Sequence, residues 1–121
     1  MSRRPMPAAV AERLGSDLAS ARAEGRAGDP GAAWVLLEEA HVLSQPWAWP
    51  HVKVHAAMLA LGWRTRDRRE VRGQLLRIVV AGPGSLTGRY PEGNTGRAAV
   101  PATQLMLVPD DLRALLVSGD G

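Results

Sequence analysis

Between residues 7 and 25 the apolar positions Val10, Leu14, Leu18 and Ala21 recur at intervals of four, four and three, with Arg13, Arg22 and Glu24 set between them. That period predicts an amphipathic helix with one buried stripe, ending near Gly25. Gly28-Asp29-Pro30 follows, and an acidic N-cap directly before a proline at the first helical position starts a second helix, which runs through AAWVLLEEAHVL over about 30–43. The segment SQPWAWP breaks the chain, since two prolines in five residues stop one helix near Ser44 and let another begin, giving a third helix over about 50–64. A fourth, opened by Asp67 and carrying Val71, Leu75, Ile78 and Val79, is expected over 67–81. Short connections make consecutive helices antiparallel neighbours, so the fold class is all-α, a small bundle of two helical hairpins. GDPGAAWVLLEEA and RDRREVRGQLLRIVVA echo each other faintly, which gives the pairing a tetratricopeptide-like geometry without the residue pattern of a true repeat.

From Gly82 the periodicity stops. GPGSLTGRYPEGNTGRAAVPATQLMLVPD predicts an irregular loop over 82–108, long for a compact domain and therefore a lid across the bundle or an arm used by a partner. A short last helix is expected over 109–117, where Pro109, Asp110 and Asp111 suit the first turn and Leu112, Leu115 and Leu116 form an apolar side. The whole chain, 1–121, is read as a single helical domain.

Composition narrows the chemistry. With 121 residues the chain buries roughly two thirds of its unfolded surface, enough for one modest core. It has no Cys, which excludes thiol nucleophiles, disulfides and thiolate metal sites and leaves His, carboxylate, Met or water as ligands. Fifteen basic residues against twelve acidic ones give a net charge of only +3. The arginine run Arg64, Arg66, Arg68, Arg69 and Arg72 is interrupted by Asp67 and Glu70 and has no aromatic ladder, so it reads as a solvated face rather than a nucleic-acid surface. No apolar run has the length of a signal peptide or a membrane span, and a cytoplasmic protein is expected.

The three histidines, His41, His51 and His55, lie within fifteen residues of each other. At about 100° per residue, Glu38 and His41 share a face with Trp34 and Leu37, in the E-x-x-H spacing by which one helix aims two ligands at an ion. His51 and His55, at i and i+4, share a face of the third helix, with Lys53 and Arg64 on the opposite side, so both imidazoles can reach one ion across a turn. In an antiparallel hairpin His41 then lies opposite His51, and Glu38 opposite His55. A single buried histidine is ordinarily a hydrogen-bonded core residue. Three inward imidazoles beside a carboxylate do not satisfy one another, and they predict a metal site. Glu39 points elsewhere, and Asp17 on the first helix is a candidate distal ligand or second acceptor. The tryptophans and Met58 read as core and loop anchors.

GNTG and GPGSLTG lack the strand, lysine and helix of a phosphate loop. If the loop closes over the histidines, Asn94, Thr95, Arg89 or Tyr90 are positioned to meet a substrate or a metal-bound water.

A Gly-Asp start, Ala-Trp followed by LEEAHVL, then HVKVH, then GQLLR, then AGPGSLTGRYPEGNTG resembles the bacterial domain-of-unknown-function family DUF3703, over about residues 28–117. That resemblance implies a small helical bacterial protein and supplies no activity. From the residues, the expected function is metal binding by His41, His51 and His55 with Glu38 as oxygen ligand or acid/base. Zn, Fe, Cu or Mn would suit the site, one ion per chain, with a small-molecule substrate if water or dioxygen is activated there. Two alternatives are a metal carrier or sensor without catalysis and a tetratricopeptide-like interaction module whose arginines steer acidic partners. A homo-oligomer fits either.

Overall fold

Asp29 and Pro30 open a helix as their chemistry requires: Asp29 Oδ1 accepts from the Ala32 N–H at 3.0 Å, and Pro30 occupies a position whose missing donor would have had no helical partner. In the computed structural model, which describes residues 5–86, 92–100 and 104–118, this helix is α2 (Pro30–Ser44). It lies between α1 (Ala8–Arg26) and α3 (Ala48–Arg64), and α4 (Arg68–Leu86) and α5 (Asp110–Ser118) complete an all-α fold with no strand among the described residues. None of these helices is long and apolar enough to cross a membrane.

Two boundaries depart from the periodicity. α3 begins at Ala48 rather than Pro50, because Pro50 falls in the first turn, where an N–H has no helical acceptor. α4 continues past Gly82 and Pro83 to Leu86, where a loop was expected. Pro83 withdraws one donor from the helix, the one that would have bonded to the Val79 carbonyl.

α1 packs along α2 and α3 along α4, while α2 joins the two pairs through α3. One core, built from Leu14, Trp34, Leu37, Val54, Met58 and Leu61 with small alanines, fills the space between the first three helices. A second, of Val10, Val42, Leu43, Trp47, Val108 and Leu112, fastens α5 and the segment before it to the opposite end. Trp34 and Trp47 are thus core residues, whereas Trp49 and Trp63 are 71% and 74% exposed and anchor nothing.

α4 is inverted relative to its apolar pattern. Leu75 and Val79 are exposed, Val71 and Ile78 half-buried, and the buried face consists of Glu70, Gln74 and Arg77. A helix turns a polar face inward only if that face finds partners there.

Asp17 is buried, but not at the histidines. It sits in the seam of α1 and α2, where Arg13 reaches Asp17 Oδ1 (3.3 Å), Glu39 Oε2 (3.0 Å) and Asp111 Oδ2 (3.4 Å). Asp17 Oδ2 is buried with no hydrogen-bond donor facing it. Burial first, and then the neighbouring Glu39 charge, raise the Asp17 carboxyl from 3.8 to about 6 against the pull of Arg13. The folded state therefore favours neutral Asp17. The stability this gives is complete below the unfolded value of 3.8 and is lost as pH rises through about 6. Asp17→Asn, neutral at every pH and able to donate to Glu39, should melt at least roughly 3 °C above wild type at pH 8 and coincide with it below pH 4. A melting difference that does not change with pH would contradict this account of the seam.

Candidate metal centre

The last turn of α2 carries His41 and the first turns of α3 carry His51 and His55, separated by the three-residue reversal Gln45-Pro46-Trp47. Trp47 N–H donates to Ser44 O at 2.9 Å and closes that reversal. Because the reversal is so short, the three imidazoles meet. The Nε2 atoms form a triangle with edges of 3.0 Å (41–51), 3.0 Å (41–55) and 3.2 Å (51–55), and the residues are 3%, 5% and 2% exposed.

The outer nitrogens settle what the inner ones can do. His41 Nδ1 lies 2.5 Å from the Asn94 carbonyl oxygen and His55 Nδ1 lies 2.6 Å from Gln74 Oε1. Gln74 cannot be turned the other way, since its Nε2 donates to Glu70 Oε2 (3.0 Å) and to the Gly96 carbonyl (2.8 Å). Both outer partners are pure acceptors, so His41 and His55 carry their protons on Nδ1 and present Nε2 lone pairs to each other. A proton on His51 Nε2 could serve one of them and would leave the other unsatisfied. An added proton is also disfavoured. Burial, then the facing His55 and His51 and the Arg77 charge, hold His41 well below the ordinary histidine range despite its bond to Asn94. Burial likewise lowers His55 against the opposing Gln74 bond. Three convergent imidazole nitrogens that cannot all satisfy one another could hold a metal ion, and they are the one group of three or more His, Asp and Glu with metal-compatible spacing among the described residues.

Size is consistent with that chemistry. For an ion about 2.0–2.1 Å from each nitrogen, the observed edges would give N–metal–N angles of about 91–106°, between octahedral and tetrahedral values.

Residues 92–100 cover the cluster. Gly96 has φ +84°, and a Cβ there would stand 2.6 Å from His41 Cδ2, so the backbone lies directly on the imidazole ring. The segment is pinned to α4: Arg77 donates to Gly96 O (3.0 Å) and Val100 O (2.6 Å), Glu70 accepts from Ala98 N–H and from Arg97 Nε (2.6 Å), and Ala98 fills the space above Gly73. These are the partners that the inward polar face of α4 requires.

Four expected participants are placed differently. Glu38 does not join the histidines. Arg97, stacked over Trp34 at 3.8 Å, draws the Glu38 carboxylate to 3.7 Å, away from a position opposite His55. Burial raises the Glu38 carboxyl, with Arg97 opposing and Glu70 adding to the rise. Asp17 lies in the α1–α2 seam with Glu39. Asn94 does reach the site, but through its backbone carbonyl, while its side chain accepts from Gly96 N–H (2.8 Å) and donates to Gln104 O (2.8 Å). Thr95 Oγ1 accepts from Arg97 N–H at 3.5 Å and touches no histidine bond. Arg89 and Tyr90 lie outside the described residues. The residues that sequence reasoning missed are Gln74, Glu70 and Arg77. Their signal is the i, i+4, i+7 recurrence of polar residues on one face of α4, masked there by the apolar set 71, 75, 78 and 79.

A family model described as a protein of unknown function (DUF3703) matches residues 8–116. No curated protein and no solved structure matches the chain.

Gln74 is the residue whose substitution best separates support from ligation. Gln74→Leu removes the acceptor for His55 Nδ1 while leaving all three donors, and should weaken zinc affinity by roughly 10–100-fold in competition with a chromophoric chelator. Unchanged affinity would mean that the outer hydrogen bonds do not orient the cluster.

Proposed function

The chain belongs to this family of proteins of unknown function, and we propose that it is a metal-binding protein holding one first-row transition-metal ion on His41, His51 and His55 Nε2. The observation that carries the proposal is the 3.0–3.2 Å triangle of Nε2 atoms with two of the outer nitrogens committed to carbonyl acceptors. Imidazole donors can take Zn(II), Fe(II), Mn(II) or Cu(II), with Mn(II) held most weakly and Cu(II) most tightly, and availability decides the ion as much as affinity does. Three neutral ligands leave the ion's charge uncompensated in a buried place. Glu70 reaches the cluster through Gln74, along the line His55–Gln74–Glu70, with its charge shared by Arg97 and opposed by Arg77.

Glu38 is held by Arg97, so the remaining coordination is left to water or a small-molecule ligand. Three protein nitrogens plus an exchangeable position is the arrangement in which zinc activates water, and a bound ion would supply that Lewis acidity here. The chain's own contribution is to fix the tautomers of His41 and His55, disfavour their protonation and cover the cluster with residues 92–100.

Protein expressed with supplemented Zn, Mn, Fe or Cu should carry about one ion per chain by elemental mass spectrometry. His51→Ala/His55→Ala should carry none. Chelation should lower the melting temperature of the wild type and leave the double variant unmoved, since an ion bound only to the native state at 100 times its Kd stabilises it by about 2.7 kcal/mol. Metal content near zero after supplementation would overturn the proposal.

A further inference from the structure

α1 and α3 both rest on α2 and leave an open groove of about 490 Å³ between them. Its floor is apolar, made by buried Ala21, Leu37 and Leu61 with half-buried Leu18 and Ala57. Its rim is cationic: Arg22, Arg26, Lys53 and Arg64 line it, all four are exposed, and no acidic residue is among the lining. None of the four is ion-paired to a described residue. A second hollow of about 230 Å³ shares Leu18 and Lys53 with the first and extends it toward Leu14 and exposed Trp49. From Leu14 to Arg26 on one wall and Pro50 to Arg64 on the other, the trough is about 20 Å long, the span of a helix of about thirteen residues.

We infer that this groove binds an acidic amphipathic helix of a partner protein, its aliphatic side chains on the Leu18–Leu37–Leu61 floor and its carboxylates against the four rim cations. Unpaired cations around an apolar trough are complementary to that one pattern: apolar residues at i, i+3, i+4 and i+7 with Glu or Asp on both flanks. Nucleic acid is the other anionic partner, and the floor argues against it. It is aliphatic, and base stacking needs aromatic platforms, of which only Trp49 stands at one end. A second copy of the chain is disfavoured by like charge, because the exposed apolar face of α4 is flanked by Arg66, Arg68 and Arg72. The groove shares no lining residue with the histidine cluster, so its occupancy and metal loading are separate questions.

The test uses the metal-supplemented full chain and a fluorescein-labelled 16-residue helical peptide of Leu, Ala and Glu, with Leu at i, i+4, i+7 and i+11. Fluorescence anisotropy should show saturable binding that falls with added salt. Ala60→Trp, which fills the exposed wall, and Arg22→Glu/Arg64→Glu, which reverses the rim, should each weaken it by roughly tenfold or more. The same peptide with Lys in place of Glu, or with its Leu spacing scrambled, should not bind. Circular dichroism melts of both variants establish that they are folded, and Lys53→Glu serves as a further rim variant if either is not. Absence of saturable binding, equal binding of the Lys peptide, indifference of the folded variants, or tighter binding of a duplex or single-stranded oligonucleotide would each overturn the inference.

Discussion

The meeting of three buried imidazoles, Nε2 to Nε2 at 3.0–3.2 Å, is the constraint on which the rest of this structure depends. The three nitrogens cannot all satisfy one another, and the 3.0–3.2 Å edges leave room for no side chain between them. The arrangement persists only if the outer nitrogens are held just as firmly. The Asn94 carbonyl holds His41 and Gln74 holds His55, and each holder needs its own support. Gln74 is steadied by Glu70 and the Gly96 carbonyl, Gly96 by Arg77, and Glu70 by Arg97 and Ala98 N–H.

This chain of dependence explains why α4 buries its polar face. If Val71, Leu75, Ile78 and Val79 were turned inward as a continuous stripe, Glu70, Gln74 and Arg77 would rotate away from the histidines and from residues 94–100. The hydrophobic gain of burying two more side chains, on the order of 1.5–3 kcal/mol each, competes with at least six hydrogen bonds that begin on the polar face, several of them charge-assisted. The exposed Leu75, Leu76 and Val79 are the consequence. So is the fate of Glu38: Arg97, placed by Glu70 and by the Trp34 ring, captures a carboxylate that helical spacing alone would aim at the cluster.

The helices were legible because their signals are local. Asp29-Pro30 and the apolar spacing of α1 act within a turn or two, and the i, i+4 pair His51–His55 needs only one helix and one face. His41 could be added because the Gln45-Pro46-Trp47 reversal allows little freedom. The supporting residues were not legible, and the reason is range. Gln74 lies 19 residues from His55 and Asn94 lies 53 from His41, so their roles depend on where a loop lands on a bundle. Periodicity also misled in α4, since apolar spacing reports a face that could be buried and does not register a competing polar face with stronger partners. The GNTG segment showed in the sequence only that it lacks the elements of a phosphate loop. Gly96 has the positive φ of a turn, but what excludes a side chain there is the ring of His41.

Charge shows how little a net value conveys. Around the histidines Glu38 and Glu70 offset Arg77 and Arg97. In the α1–α2 seam Asp17, Glu39 and Asp111 outnumber Arg13. The excess that makes the chain +3 is therefore concentrated elsewhere, on the rim of the α1–α3 groove and at the start of α4. Cations near a buried cation site would weaken it, and cations around an apolar trough make that trough selective. The fold keeps the two apart by using opposite faces of α3: His51 and His55 turn toward α2 and α4, and Lys53, Ala60 and Arg64 turn toward α1. One helix thus carries a site that needs neutral donors and a surface that needs charge, and its 3.6-residue period keeps each from disturbing the other.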